Sequence, residues 1–248
     1  MLRSSVEEPH RATRGYRVCM STPATLPVAL VHGWAGSYAS TWKAPGVADL
    51  LLDIGRSPFG IDLLGHGDAD KPHNPEAYRN LHEWLLAKLP NEPVDIVGFS
   101  LGALTTLRAL ATAPSRFRKV VLAGIGNGVF EATTHDMARR IVQAIEGEVT
   151  DDATALLFRQ YAHQPGNDPV ALAAVMKRPP SEPLIPQHLG DIDNEVLVCI
   201  GDRDFAAPAD KLAHAFPNGK LAVLKNTDHF ATPHEFAFID VMLDFLSN

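Results

Sequence analysis

Two spacings of apolar residues alternate along the chain. Short, nearly continuous runs such as VALVH (Val28–His32), PFGIDLL, VDIVGF (Val94–Phe99), RKVVLAGIG, NEVLVCIGD and KLAVLK have the length of strands buried on both faces. Between them lie longer stretches with helical spacing. TWKAPGVADLLLDIG predicts a helix up to Gly55, and EAYRNLHEWLLAKLP places Leu81, Trp84, Leu85 and Leu89 on one stripe with Pro90 just past its end. LGALTTLRALATA, PADKLAHAF and PHEFAFIDVMLDFL read the same way, the last with proline at its start. Strand–helix alternation of this kind predicts an α/β protein with a mostly parallel, doubly wound sheet covered by helices on both faces.

One region breaks the alternation. From Asn127 to Gly190 there is no convincing strand, while MARRIVQAIEG, TALLFRQYAH and PVALAAVMKR each have helical periodicity, and PPSEPLIP closes the region as a proline-rich return. The organisation expected is therefore an N-terminal extension over 1–26, a core over 27–126 and 191–248, and a helical insertion over 127–190. The insertion leaves from the end of one strand and returns before the next, at the edge where an open parallel sheet binds ligands. It reads as a cap over that edge, with an ordinary long crossover as the alternative.

Composition narrows the function. At 46% hydrophobic and 21% charged residues the chain is ordinary for a globular protein, and its formal net charge of −7 argues against nucleic acid or an anionic membrane as a partner. No apolar run approaches the roughly 20 residues of a membrane span. The first residues carry no secretory apolar core, so a cytoplasmic protein, monomeric or a small homo-oligomer, is expected. Cys19 and Cys199 are the two cysteines and lack any CxxC or Cys/His metal spacing. GIGNG at Gly124 lacks the spacing of a dinucleotide or phosphate loop, so neither metal nor cofactor is implied.

The chemistry concentrates at GFSLG (Gly98–Gly102), between a strand and a small-residue helix. In so sharp a turn the central residue is pushed to positive φ, which costs a non-glycine residue about 1–3 kcal/mol. A serine kept there is a candidate nucleophile, and a chance GxSxG is expected only roughly 0.05–0.1 times in this length at average glycine usage. A serine hydroxyl needs a base, and the base needs an acid to hold its tautomer. Of eleven histidines, His229 lies in the loop after KLAVLK, at a strand's C-terminal end, whereas His32 and His66 sit in HGW and GHG turns and read as turn-fixing. Asp202 and Asp204, directly after VLVCI, are both placed to be the acid.

From Pro27 onward these features resemble the α/β-hydrolase superfamily, whose chain order is nucleophile, acid, histidine. The family's G-x-x-D acid loop assigns the acid to Asp204 and leaves Asp202 as a turn residue. The resemblance implies oxyanion-hole N–H groups from Trp34, in the first loop, and from Leu101, after the nucleophile. IDLLGHGDADKP resembles the family's D-x-x-G-x-G-x-S turn, with Asp62 structural and Asp68 and Asp70 straddling the usual serine. Asp228 stands where glycine commonly precedes the histidine. Serine rather than aspartate at the elbow implies acyl transfer. The reading is a carboxylesterase-type serine hydrolase acting on a small-molecule ester with an apolar acyl or aryl group. A thioesterase, C–C bond hydrolase, perhydrolase, acyltransferase or receptor-like binding module are the alternatives. Leu156, Leu157, Phe158 and Tyr161 are expected to share one face of a cap helix, either lining the substrate site or packing on the core.

Overall fold

The computed structural model describes residues 26–131 and 136–247. The extension expected over 1–26 lies outside the described residues up to position 25, and Cys19 with it. Six strands form one parallel sheet in the order β2-β1-β3-β4-β5-β6: β1 Leu26–Val31, β2 Arg56–Ile61, β3 Val94–Phe99, β4 Phe117–Ala123, β5 Glu195–Gly201 and β6 Gly219–Leu224. Alternate residues of each central strand face opposite layers. Val31, Ile96, Leu122 and Val198 pack with α2 (Leu81–Lys88), α3 (Leu101–Thr112) and α8 (Asp210–His214). Leu30, Val97, Val121 and Cys199 pack with α1 (Val47–Asp53) and α9 (Phe236–Ser247). Helices on both faces give the doubly wound α/β architecture.

Several expected helices are shorter than their apolar pattern suggested. The stretch up to Gly55 is broken at Ala44–Gly46, where Gly46 takes φ 85° and separates a short turn at Ala39–Lys43 from α1. EAYRNLHEWLLAKLP divides into a 3₁₀ turn at Pro75–Tyr78, capped by the Asn74 side chain, and α2. At the C-terminus Pro233 sits in a 3₁₀ turn ahead of α9 rather than inside it.

Between β4 and β5 the chain forms α4 (Asp136–Ile145), α5 (Ala153–Ala162), α6 (Pro169–Met176) and the single turn α7 (Pro186–Leu189). Asp152 and Asp168 each accept two backbone N–H bonds as N-caps of α5 and α6, relieving donors that have no intrahelical partner. Ile141, Ile145, Phe158, Ala162 and Leu172 build a separate apolar cluster from α4–α6, and Ala35 and Trp34 of the loop after β1 join it. The strand order reverses at β1, which has β2 on one side and β3 on the other. A crevice opens at such a switch point, outside the carboxyl ends of the strands. The loops after β1 and β3, carrying Trp34 and Ser100, flank it.

Candidate active site

The site is built from the turn after β3. Ser100 takes φ 52°, a left-handed value that a non-glycine residue holds only at a cost, and its N–H is tied to the Ala123 carbonyl at 2.8 Å. The flanking glycines leave room for it. A Cβ on Gly98 would stand 2.8 Å from the Ala103 Cα, and one on Gly102 would stand 2.5 Å from the His32 carbonyl oxygen. The turn is thus pressed against both its own helix and the end of β1, and its tightness holds the serine hydroxyl above the sheet.

His229 arrives on the loop after β6. Its Nε2 lies 2.9 Å from Ser100 Oγ, and its Nδ1 lies 2.9 and 3.0 Å from the two Asp204 carboxylate oxygens. A carboxylate only accepts, so Nδ1 carries the proton and Nε2 offers its lone pair to the serine O–H. Asp204 has a fully buried side chain and also accepts the Ala206 N–H at 2.8 Å, whereas Asp202 is exposed. Asp228 does not disturb this loop: its carboxylate accepts the Ala231 N–H at 2.9 Å and its carbonyl accepts the Thr232 hydroxyl.

The turns below are set by buried imidazoles and one carboxylate. His32 Nδ1–H donates to the Gly33 carbonyl at 2.7 Å while Nε2 accepts the Leu63 N–H at 3.0 Å, and burial lowers its pKa. His66 donates to the Leu64 carbonyl at 3.0 Å; burial, with the nearby His32 second, drives its pKa down to about 3. Both hold turns as neutral rings. Asp62 accepts the Tyr38 and Asp68 N–H groups at 2.6 and 2.9 Å and so ties the loop after β1 to the loop after β2.

Two cavities meet at Ser100 and His229. The larger, about 590 Å³, runs along the α3 face formed by Leu101, Leu104, Thr105 and Arg108. The smaller, about 230 Å³, is lined by Trp34, Phe158, Tyr161 and Phe230. Phe230 stacks on Tyr161 at 5.4 Å and meets Phe158 edge-on at 5.6 Å, and the Trp34 indole N–H donates to the Leu172 carbonyl of α6 at 3.2 Å. Phe158 and Tyr161, three residues apart, share an α5 face, as helical geometry requires. Leu156 does not join them: it is 42% exposed and lines neither cavity. Two positions along a helix is a rotation of about 200°, so Leu156 and Phe158 point in opposite directions and the single face expected over 156–161 is corrected. Sequence reasoning missed Phe230 and Phe205, whose ring lies 4.3 Å from that of His229. Their adjacency to His229 and Asp204 was the available signal. Among the described residues no cluster of three or more His, Cys, Asp or Glu side chains could hold a metal ion, and no helix is long and apolar enough to cross a membrane.

Comparison with known proteins places these features in a wider group. A family profile described as alpha/beta hydrolase fold matches residues 27–188. The first curated relatives are uncharacterized mycobacterial proteins, 35% identical over 120 residues, and the chain spans only 33% of their length. The 2-hydroxy-6-oxononadienedioate/2-hydroxy-6-oxononatrienedioate hydrolase 1 of Pseudomonas putida is 27% identical across 89% of this chain and 88% of its own. The pimeloyl-[acyl-carrier protein] methyl ester esterase of Neisseria meningitidis is 25% identical across 90% and 94%. A crystal structure of a hydrolase from Pseudomonas aeruginosa superposes with a TM-score of 0.69 at 19% identity, covering 92% of each chain.

Proposed function

The chain belongs to the α/β-hydrolase fold family, with esterases and C–C bond hydrolases among its relatives at low identity, and from that premise we propose that it is a serine hydrolase of carboxylic esters. The observation that carries the reading is the unbroken line of contacts from Ser100 Oγ through the His229 ring to Asp204, each about 2.9 Å long. Ser100 Oγ attacks the ester carbonyl carbon as His229 Nε2 takes its proton. The tetrahedral oxyanion collapses, the C–O bond to the alcohol breaks, and the alcohol leaves with that proton. Water then repeats the sequence on the acyl-enzyme and releases the acid. Asp204 keeps the imidazole oriented and steadies its charge when protonated.

The oxyanion donors in this reading are the backbone N–H groups of Trp34 and Leu101. Leu101 opens α3, so its N–H has no intrahelical acceptor and lies at the positive end of the helix dipole. Preorganised donors of this kind are worth about 3–4 kcal/mol each. Residues 127–190 act as a cap, and the aromatic cavity under α5 accepts the apolar acyl or aryl portion. A second reading, hydrolysis of a C–C bond beside a ketone, uses the same groups and is favoured by the breadth of the match to the Pseudomonas putida hydrolase.

A fluorophosphonate probe combined with p-nitrophenyl ester turnover tests the assignment. The probe is expected on Ser100, and Ser100→Ala should lower kcat by a factor on the order of 10⁴–10⁶. Labelling of another residue, or turnover undiminished in Ser100→Ala, overturns it.

A further inference from the structure

The larger cavity has a chemical asymmetry that ester cleavage alone does not use. Near Ser100 its α3 wall is apolar, through Leu101 and Leu104; two turns along the same face it becomes cationic at Arg108. Eight residues from Ser100 correspond to roughly 12 Å of helix rise, with the Arg108 side chain tilted back toward the nucleophile as helix geometry dictates. Arg178, on the segment after α6, lines the same cavity. Arg108 Nη2 donates to the Glu182 carbonyl at 2.8 Å and Arg178 Nη1 to the Val175 carbonyl at 2.7 Å. Each guanidinium has five donors. Among the described residues neither Arg108 nor Arg178 forms an ion pair with a carboxylate, although Arg79 nearby is already paired with Glu76. Glu131 also lines the cavity but is exposed.

Both arginines keep some contact with solvent, and partly withdrawing two neighbouring guanidinium groups from water without a counter-charge still carries a cost. Burial lowers the pKa of both arginines, and at Arg178 the charge of Arg108 adds to it. Burial lowers the pKa of His82 on the same wall, with Glu83 opposing and Arg108 adding to the fall. A planar anion with two oxygens matches the arginine fork and offsets this cost.

We propose that Arg108 and Arg178 form a carboxylate-reading subsite, so that the preferred substrate is an ester whose acyl chain ends in a carboxylate lying beyond Leu104 and Thr105. The inference rests on the ester-hydrolase reading of Ser100 and deepens it. The apolar wall holds the middle of the acyl chain, and the arginine pair fixes its far end.

The test compares p-nitrophenyl hemi-esters of succinic, adipic and suberic acids with the neutral butyrate, hexanoate and octanoate esters, in the wild type and in Arg108→Gln, Arg178→Gln and Arg178→Lys. Free adipate is titrated calorimetrically into each protein alongside. At one chain length the wild type should prefer the hemi-ester in kcat/KM by at least about tenfold, the scale of one charge-assisted hydrogen bond. Each glutamine variant should bring that ratio toward one, mainly through KM, and should weaken adipate binding, with Arg178→Lys falling between. A wild type that cleaves neutral esters without preferring any hemi-ester overturns the subsite and leaves the hydrolase reading standing. A preference that survives both glutamine substitutions also overturns it. Should no ester be cleaved, the hydrolase reading fails and adipate binding decides: loss of that binding in both glutamine variants upholds the subsite, and its absence from the wild type removes it.

Discussion

Lowering the pH should weaken the fold through His66, by an amount the structure allows to be worked out. The His66 ring is fully buried, 5.1 Å from the His32 ring, with Nδ1 donating to Leu64 and Nε2 meeting no partner. Its pKa falls from 6.5 to about 3 on folding, through burial first and His32 second, with Lys71 adding to the fall and the Leu63 and Leu64 carbonyls opposing it. Because the folded value is the lower one, the unfolded chain binds the extra proton between those pH values, and stability decreases as pH falls through that window. At pH 4 the gap amounts to roughly 2.5 pH units of protonation not shared by the folded state, or about 3 kcal/mol. Urea unfolding followed by tryptophan fluorescence at pH 7 and pH 4 reads this directly. His66→Asn retains an N–H for the Leu64 carbonyl but does not titrate. The wild type should lose about 3 kcal/mol more than the variant between the two conditions. Equal losses would show that His66 is not the group that takes up the proton and would refute the reasoning.

Asp204→Asn should lower kcat by about 10⁴ by releasing the imidazole from its productive tautomer, whereas Asp202→Asn should leave it nearly unchanged; steady-state kinetics with both variants would fail the assignment if Asp202→Asn alone were crippled. Tyr161→Ala should shift the ester chain-length or aryl preference by roughly 10–200-fold, because an apolar contact is worth about 1–3 kcal/mol in discrimination. Leu156→Ala, on the opposite face of α5, should not shift it, and kcat/KM across an ester series separates this from a cap that only shields the core.

What could be read from residues alone was whatever local geometry governs. The four central strands were legible because burial on both faces leaves continuous apolar runs, although the same pattern overstated the burial of the edge strands β2 and β6, where Val223 is 56% exposed. The turn at Ser100 was legible because two glycines enclose a serine between such a run and a helix. The break ahead of α1 had a signal, the proline–glycine pair at Pro45 and Gly46, which the surrounding helical periodicity outweighed. Leu156 was misplaced because adjacent apolar letters look like a face, although neighbouring positions on a helix point in different directions. Arg108 and Arg178 stand 70 positions apart in the chain. Only folding brings them to one cavity, and neither carries a local pattern that announces the other. Phe205 and Phe230 fall between these cases, since each adjoins a named residue but its direction depends on loop geometry.

The hydrogen bond from the Trp34 indole to the Leu172 carbonyl joins two parts of the molecule that would otherwise diverge separately. Trp34 contributes its backbone to the proposed oxyanion hole and its side chain to α6. Under that proposal the helices between β4 and β5 are not a neutral module to exchange for those of a relative. A transplanted segment lacking an acceptor at that point would free the indole, loosen the peptide behind it and slow acyl transfer even with its reacting groups untouched. Substitutions in the loop after β1 and in the helices between β4 and β5 are then expected to be coupled in their effect on acyl transfer.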